Sequence, residues 1–130
     1  DDLGQVHIYD YKTGTPPSVA EQKAFDKQLL LEAAMVEEGG FKEIGPAPVA
    51  QAAYIGLGSK PVERPAPLED EPPHEVLAKL HALITSYLSD EQGFTARRMV
   101  KTTDFAGDYD QLARFGEWDA TTEPTPEDLT

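Results

Sequence analysis

The chain has 130 residues, no cysteine and a formal net charge of -13 from 11 basic and 24 acidic side chains. This length fits about one domain. The charge argues against a general electrostatic grip on nucleic acid, so any such contact would be local or shared with another protein. Without cysteine the segment holds no disulfide and no iron–sulfur cluster. No apolar run approaches the roughly 18 residues of a membrane span. A soluble, cytoplasmic protein is therefore expected.

The first predicted element is a strand from about Gln5 to Lys12, rich in β-branched and aromatic residues. A period of two places Val6, Ile8, Asp10 and Lys12 on one face, which changes from apolar to charged toward its end. The preceding "DDLGQ" is typical of a hairpin turn. From this start we infer that the chain was cut from something larger and that a preceding strand is missing.

A long helix is predicted next. After the turn "TGTPPS", Ser18 and Glu21 form a capping-box pattern, and the helix is expected to run to Glu38 and close at Gly39-Gly40. Its apolar stripe is broad and implies deep burial against a sheet. The residues of this stripe are Phe25, Leu29, Leu30, Leu31, Ala33, Ala34, Met35 and Val36.

The middle of the chain predicts one more strand and one more helix. Residues 48–59 are typical of a strand, and residues 60–73, with five prolines in fourteen positions, of a loop or linker. A helix is expected from about Pro73 to Asp90 because apolar residues recur at helical spacing. These residues are Val76, Leu77, Leu80, Leu83, Ile84, Tyr87 and Leu88. The order strand, helix, strand, helix indicates an α/β domain.

The last third is less regular. Residues 94–101 are compatible with an extended segment, residues 108–115 with a short helix, and residues 119–130 with an acidic flexible tail, so the domain is expected to span residues 1–118. The one basic cluster is formed by Arg97, Arg98 and Lys101. It fits contact with a DNA backbone or an adjoining domain, and the alternative is a surface role that balances nearby acids.

The pair Asp10 and Lys12 is the chemical candidate of the first strand. Two residues on one strand face lie about 7 Å apart, close enough to reach one metal-bound phosphodiester. Asp10 could ligate Mg²⁺ together with the backbone carbonyl of Tyr11. Lys12 could orient or deprotonate the attacking water, or neutralise charge on the phosphate. The alternative is a surface ion pair that contributes little.

Three blocks in order, "IYDYKTGTPPS", "KQLLLEAAMVEEGGF" and "GDYDQLARFGEW", resemble the C-terminal nuclease domain of the AddB family, a subunit of bacterial AddAB helicase-nucleases. This family belongs to the RecB-like branch of the PD-(D/E)XK nucleases. The resemblance implies their restriction-endonuclease-like mixed sheet flanked by helices, Mg²⁺-dependent (or Mn²⁺-dependent) DNA exonuclease activity in double-strand break repair by recombination, single-stranded DNA as substrate and an AddA helicase-nuclease subunit as partner.

The resemblance also implies site residues. The D-x-K element corresponds to Asp10, Tyr11 and Lys12, and the glutamine of the following helix to Gln28. An amide there can hydrogen-bond a phosphate oxygen or the attacking water without adding charge, or it is simply a polar residue at a helix edge. Family members often carry a tyrosine four residues later, where this chain has Glu32.

The family's other metal ligands lie on elements upstream of the D-x-K strand. Asp1 and Asp2 are expected to be solvated turn residues, so half a metal site and an inactive isolated segment are predicted. Two functional classes remain open: a metal-dependent deoxyribonuclease, and a non-catalytic nuclease-like scaffold or protein-interaction module.

Overall fold

The described part of the chain is an α/β fold of three strands and three helices. The computed structural model describes residues 1–90, 92–94, 110–112, 114, 116–117 and 121. The chain divides into two units, residues 1–83 and 84–130. The elements are β1 (Val6–Lys12), α1 (Val19–Ala24), α2 (Gln28–Glu37), β2 (Val49–Gly56), β3 (Val62–Pro65) and α3 (Pro73–Tyr87).

The strands form one mixed sheet in the order β1-β2-β3. β1 and β2 pair in parallel, with Asp10 opposite Tyr54 and Lys12 opposite Gly56, after a register irregularity between Val6 and His7. β3 pairs antiparallel to β2. Because parallel neighbours need a crossover, the helices between β1 and β2 make a βαβ unit. The predicted α/β class with a mixed sheet and flanking helices is confirmed.

The prediction of one continuous helix from Ser18 to Glu38 is wrong, because this segment forms two helices, α1 and α2. The capping box at its start is present: Ser18 Oγ accepts the amide of Glu21, and Glu21 Oε2 accepts the amide of Ser18. The first helix ends where the amides of Phe25 and Asp26 both donate to the carbonyl of Glu21. Phe25 is consequently exposed, although the apolar stripe predicted it to be buried.

The segment predicted as a loop over residues 60–73 contains β3. Its proline content did not prevent pairing, because β3 has only one described neighbour, β2, and an edge strand tolerates prolines whose missing N–H falls outside the ladder. Pro65 ends the strand opposite Ala53, and Ala66 then donates its amide to the carbonyl of Ala52 at 2.8 Å.

The core lies between the sheet and α2. α2 begins after a break at residues 25–27 and ends before Gly39, whose φ of +74° suits the left-handed turn that closes a helix. Its buried residues are Leu29, Leu30, Ala33, Ala34 and Val36, as the stripe predicted, while Met35 is exposed. The core cluster comprises Leu29, Leu30, Ala52, Tyr54, Ala66 and Val76, with Ile8, Leu31 and Leu68 packed against it.

The last predicted elements are corrected or lie outside the described residues. α3 ends at Tyr87 rather than Asp90, and of its predicted stripe only Val76 is buried. No helix among the described residues is long and apolar enough to cross a membrane. In the second unit the rings of Tyr87 and Phe94 stack at 4.9 Å. Of the predicted extended segment 94–101 only residue 94 is described, and residue 118, the predicted end of the domain, lies outside the described residues. Of the predicted helix 108–115 only turns at 110–112 and 114 are described.

Two lysines form ion pairs with Glu71 in the loop after β3. Lys79 lies on α3, and Lys27 immediately precedes α2. Glu71 Oε2 accepts from Lys79 Nζ at 3.1 Å and from Lys27 Nζ at 3.3 Å, and the side chain is 15% exposed. The hydrogen bond from Lys79 lowers the pKa of Glu71, burial opposes this, and Lys27 adds to the lowering. A depressed folded-state pKa stabilises the protein above the unfolded value of 4.5. That contribution is lost as pH falls through the lowered pKa.

Glu71→Gln is therefore expected to lower the free energy of unfolding at pH 7 by about 1 kcal/mol, since the pair is only partly shielded. The difference from wild type should vanish below the lowered pKa of Glu71, as measured by urea unfolding at a series of pH values. Asp70→Asn is the matched control, because Asp70 pairs with Lys23 at 2.6 Å but is 64% exposed. An equal loss in both variants, or a loss that persists in acid, would contradict the assignment.

Candidate active site

An aspartate and a lysine lie at the C-terminal end of β1, on the strand face that is turned toward α2. The alternation of the strand turns Ile8, Asp10 and Lys12 toward α2 and leaves Tyr9 and Tyr11 exposed on the other face. Lys12 Nζ lies 2.9 Å from Asp10 Oδ2, with side-chain exposures of 34% and 25% respectively. Both side chains of the pair are thus partly buried and remain accessible to solvent.

A glutamine at the start of α2 completes this group. Gln28 is the first residue of the helix, and its Oε1 accepts from Lys12 Nζ at 3.4 Å. Its Nε2 donates to Glu32 Oε1 at 3.1 Å, so Glu32 fixes the orientation of the amide from one turn further along α2. The structure therefore brings together the three side chains that the sequence singled out, Asp10, Lys12 and Gln28.

The ammonium of Lys12 is held in its charged form. Contact with the Asp10 carboxylate raises the pKa of Lys12 above its ordinary value. Partial burial opposes the shift, and the charges of Asp26 and Glu32 add to it. A lysine with a raised pKa is a poor general base near neutral pH, because its free amine is scarce. The arrangement favours neutralisation of phosphate charge over removal of a proton from water.

Two residues of this site were missed from sequence. Tyr54 on β2 is fully buried opposite Asp10, and its ring centroid lies 5.1 Å from Lys12 Nζ. Its hydroxyl donates to Asp26 Oδ1 at 2.6 Å, and Asp26 lies in the break between α1 and α2. Nothing in the apolar run "QAAYIG" marks the tyrosine as different from a core residue. Only the register between two strands puts it beside the lysine.

The donors present fit part of a divalent-cation site. Asp10 Oδ2 is buried and accepts no aligned hydrogen bond, so it retains lone pairs beside the ammonium of Lys12. The carbonyl of Lys12 accepts the amide of Leu57, the residue that follows β2, and successive carbonyls of a strand alternate in direction. The carbonyl of Tyr11 therefore points to the edge of β1 away from β2. One carboxylate and a carbonyl suit Mg²⁺, which keeps several waters and takes phosphate oxygens.

Other predicted residues lie elsewhere. Asp2 is exposed, and Asp1 accepts the amides of Leu3 and Gln5 and contacts His7 at the opposite end of β1 from Asp10. Within the described residues no group of three or more His, Cys, Asp or Glu side chains is arranged to hold a metal ion. The basic cluster of Arg97, Arg98 and Lys101 lies outside the described residues, so its contact with DNA stays a prediction.

Comparison with known families identifies the superfamily of this chain. The sequence profile of the PD-(D/E)XK nuclease superfamily matches residues 1–120, and the chain belongs to this superfamily. No curated protein and no solved structure matches the chain. The superfamily consists of nucleases, which are hydrolases, and its members typically use Mg²⁺ or another divalent metal.

Proposed function

We propose that this chain is part of the Mg²⁺-dependent DNA exonuclease domain of an AddB-type helicase-nuclease, which processes double-strand breaks for recombinational repair. The observation that carries the proposal is the convergence of Asp10, Lys12 and Gln28 at the end of β1, with Lys12 Nζ 2.9 Å from the carboxylate and 3.4 Å from the amide oxygen. Membership in the nuclease superfamily and the resemblance of three sequence blocks support it.

Hydrolysis of a phosphodiester forms a bond between a water oxygen and phosphorus and breaks the bond between phosphorus and the leaving sugar oxygen. The attacking water gives up a proton to solvent, and the leaving oxygen takes one up from solvent. Asp10 and the carbonyl of Tyr11 would hold the cation, which supplies a Lewis acid for the phosphate oxygens. Lys12 presents a charged ammonium to the phosphate as negative charge accumulates there. Gln28, fixed by Glu32, offers its amide to a phosphate oxygen or to the attacking water.

The proposed substrate is a single strand of DNA delivered by a helicase. A net charge of -13 weakens unassisted capture of a polyanion, so the strand would reach Asp10 through a partner surface, the AddA subunit, in the bacterial cytoplasm. Arg97, Arg98 and Lys101 are proposed as local phosphate contacts. Co-purification of the natural protein with the AddA subunit, followed by a loss of duplex-end processing when the two are separated, would support this partnership.

The cleavage proposal is tested on the natural protein that carries this chain. End-labelled single-stranded and duplex DNA of one sequence are incubated with Mg²⁺ or Mn²⁺, with Ca²⁺, and with chelator. We expect stepwise shortening of the single strand that depends on Mg²⁺ or Mn²⁺. Cleavage that persists undiminished in chelator would overturn the metal-dependent assignment.

The second candidate is a nuclease-like scaffold that contacts other proteins. The strongly acidic composition favours it, because acidic surfaces repel DNA and suit basic partner surfaces. In that case no metal would stimulate cleavage in the same assay, while removal of the domain would still disrupt assembly with the helicase subunit.

A further inference from the structure

A buried aromatic ring lies beneath the ammonium of Lys12. Tyr54 is 0% exposed, and the Lys12 Nζ lies 5.1 Å from the centroid of its ring. A cation within about 6 Å of an aromatic face is attracted by the ring. Tyr54 can take this position because the parallel register sets it opposite Asp10, two pairs before Lys12 and Gly56 and therefore on the same face of the sheet.

The ring itself is fixed by a carboxylate from the break between the helices. The Tyr54 hydroxyl donates to Asp26 Oδ1 at 2.6 Å, a short hydrogen bond of the charge-assisted kind. Burial, and then this hydrogen bond, raise the pKa of Tyr54 well above its ordinary value, so the hydroxyl remains a neutral donor. Asp26 precedes Gln28 by two residues, so one short segment anchors the ring and begins the helix that carries the amide.

The ion pair of Lys12 with Asp10 does not suffice to fix the lysine. Both side chains are partly exposed, at 34% and 25%, and ion pairs in contact with solvent are worth only about 0–1 kcal/mol. A free lysine side chain carries about 2 kcal/mol of rotamer entropy. A rigid surface below the ammonium is therefore needed to keep it beside the carboxylate when a phosphate arrives.

We propose that Tyr54 and Asp26 are positioning residues for Lys12: the ring supports the ammonium, and the carboxylate holds the ring. Neither residue touches substrate, and both act through the lysine. This inference rests on the proposed nuclease function, because only that function gives Lys12 a catalytic role. The contact between Lys12 and Tyr54 itself requires neither DNA nor metal.

The contact is measured by NMR on the 130-residue chain without DNA or metal. Protons above an aromatic ring resonate upfield, so the ε-methylene protons of Lys12 should lie upfield of those of the other lysines. Lys12→Arg assigns the signal. Tyr54→Leu should move it to an ordinary lysine position, and Tyr54→Phe should keep most of the shift because the ring remains. Leu30→Ala, an equally buried core truncation on α2, is the control and should leave the signal in place.

Asp26 is tested by a matched pair of substitutions. Asp26→Asn keeps an oxygen that can accept the tyrosine hydroxyl and should preserve the upfield signal, whereas Asp26→Ala releases the ring and should diminish it. In the natural protein, Tyr54→Leu should lower kcat about 10- to 100-fold, the usual scale for residues that orient a functional group, with little change in KM.

The outcomes separate the two proposals. A wild-type ε-methylene signal at an ordinary lysine position overturns the positioning inference, and this holds even if Tyr54→Leu does not fold. A signal unchanged in folded Tyr54→Leu overturns it as well. An upfield signal in a natural protein that cuts no DNA would overturn the nuclease proposal and leave the positioning contact standing.

Discussion

Replacing Asp10 with asparagine is expected to reduce metal-dependent DNA cleavage by more than about 100-fold, since even residues that only orient metal ligands cost 10- to 100-fold. The amide keeps the shape of the side chain but removes the negative charge that a hard cation requires. It also removes the negative charge of the group that lies 2.9 Å from Lys12 Nζ. The measurement is kcat on single-stranded DNA in the natural protein across a Mg²⁺ titration.

A second measurement distinguishes lost metal binding from lost folding. Broadening of NMR signals near residue 10 by Mn²⁺ should be strong in the wild-type chain and weak in Asp10→Asn. Asp70→Asn removes the same charge from a carboxylate that is 64% exposed and belongs to a different ion pair, so it should retain full cleavage. If Asp10→Asn cleaves as fast as Asp70→Asn, Asp10 has no part in the chemistry.

Lys12→Met is the other substitution with a large expected effect, a fall in kcat of about 10²- to 10³-fold, typical of removing one group that stabilises transition-state charge. Methionine has a similar length and no charge, so it keeps most of the volume of the lysine side chain while removing the ammonium. Because the Asp10 carboxylate raises the pKa of Lys12, the ammonium form dominates at neutral pH. The effect should therefore appear in kcat more than in KM.

Lys12→Arg decides between the two roles that the sequence left open for this lysine. Arginine keeps a positive charge but cannot act as a base, because it does not lose its proton in proteins. Partial activity in Lys12→Arg, without a lysine-dependent rise in rate between about pH 7 and 10, would support charge neutralisation. Activity as low as that of Lys12→Met, together with such a rise in the wild type, would instead make Lys12 the base.

Local patterns in the sequence predicted the half of the site that a single strand can specify. The two-residue period of β1 was enough to place Asp10 and Lys12 on one face, and the capping box of Ser18 and Glu21 located the start of the helical segment. The position of Gln28 beside them came from resemblance. The structure brings all three side chains together, while their catalytic roles stay predictions.

The remaining half depends on contacts between residues distant in sequence. No cap signal precedes α2, because the side chain of Lys27 at its N-cap makes no capping hydrogen bond to the start of the helix. At the break between α1 and α2, Asp26 accepts a hydrogen bond from Tyr54, which is 28 residues away in sequence. Tertiary contacts of this kind override helix propensity. β3 was missed because proline content does not reveal whether a strand lies at an edge.

The irregularity between Val6 and His7 has a consequence for the length of the strand that follows it. A side chain in a strand changes faces with every one-residue step, so inserting or deleting one residue between that irregularity and Asp10 would exchange the two faces. The tyrosines would then turn inward, and the charged pair would turn away from the helices. The number of residues in this short segment therefore matters to the site as much as the identity of any residue in it.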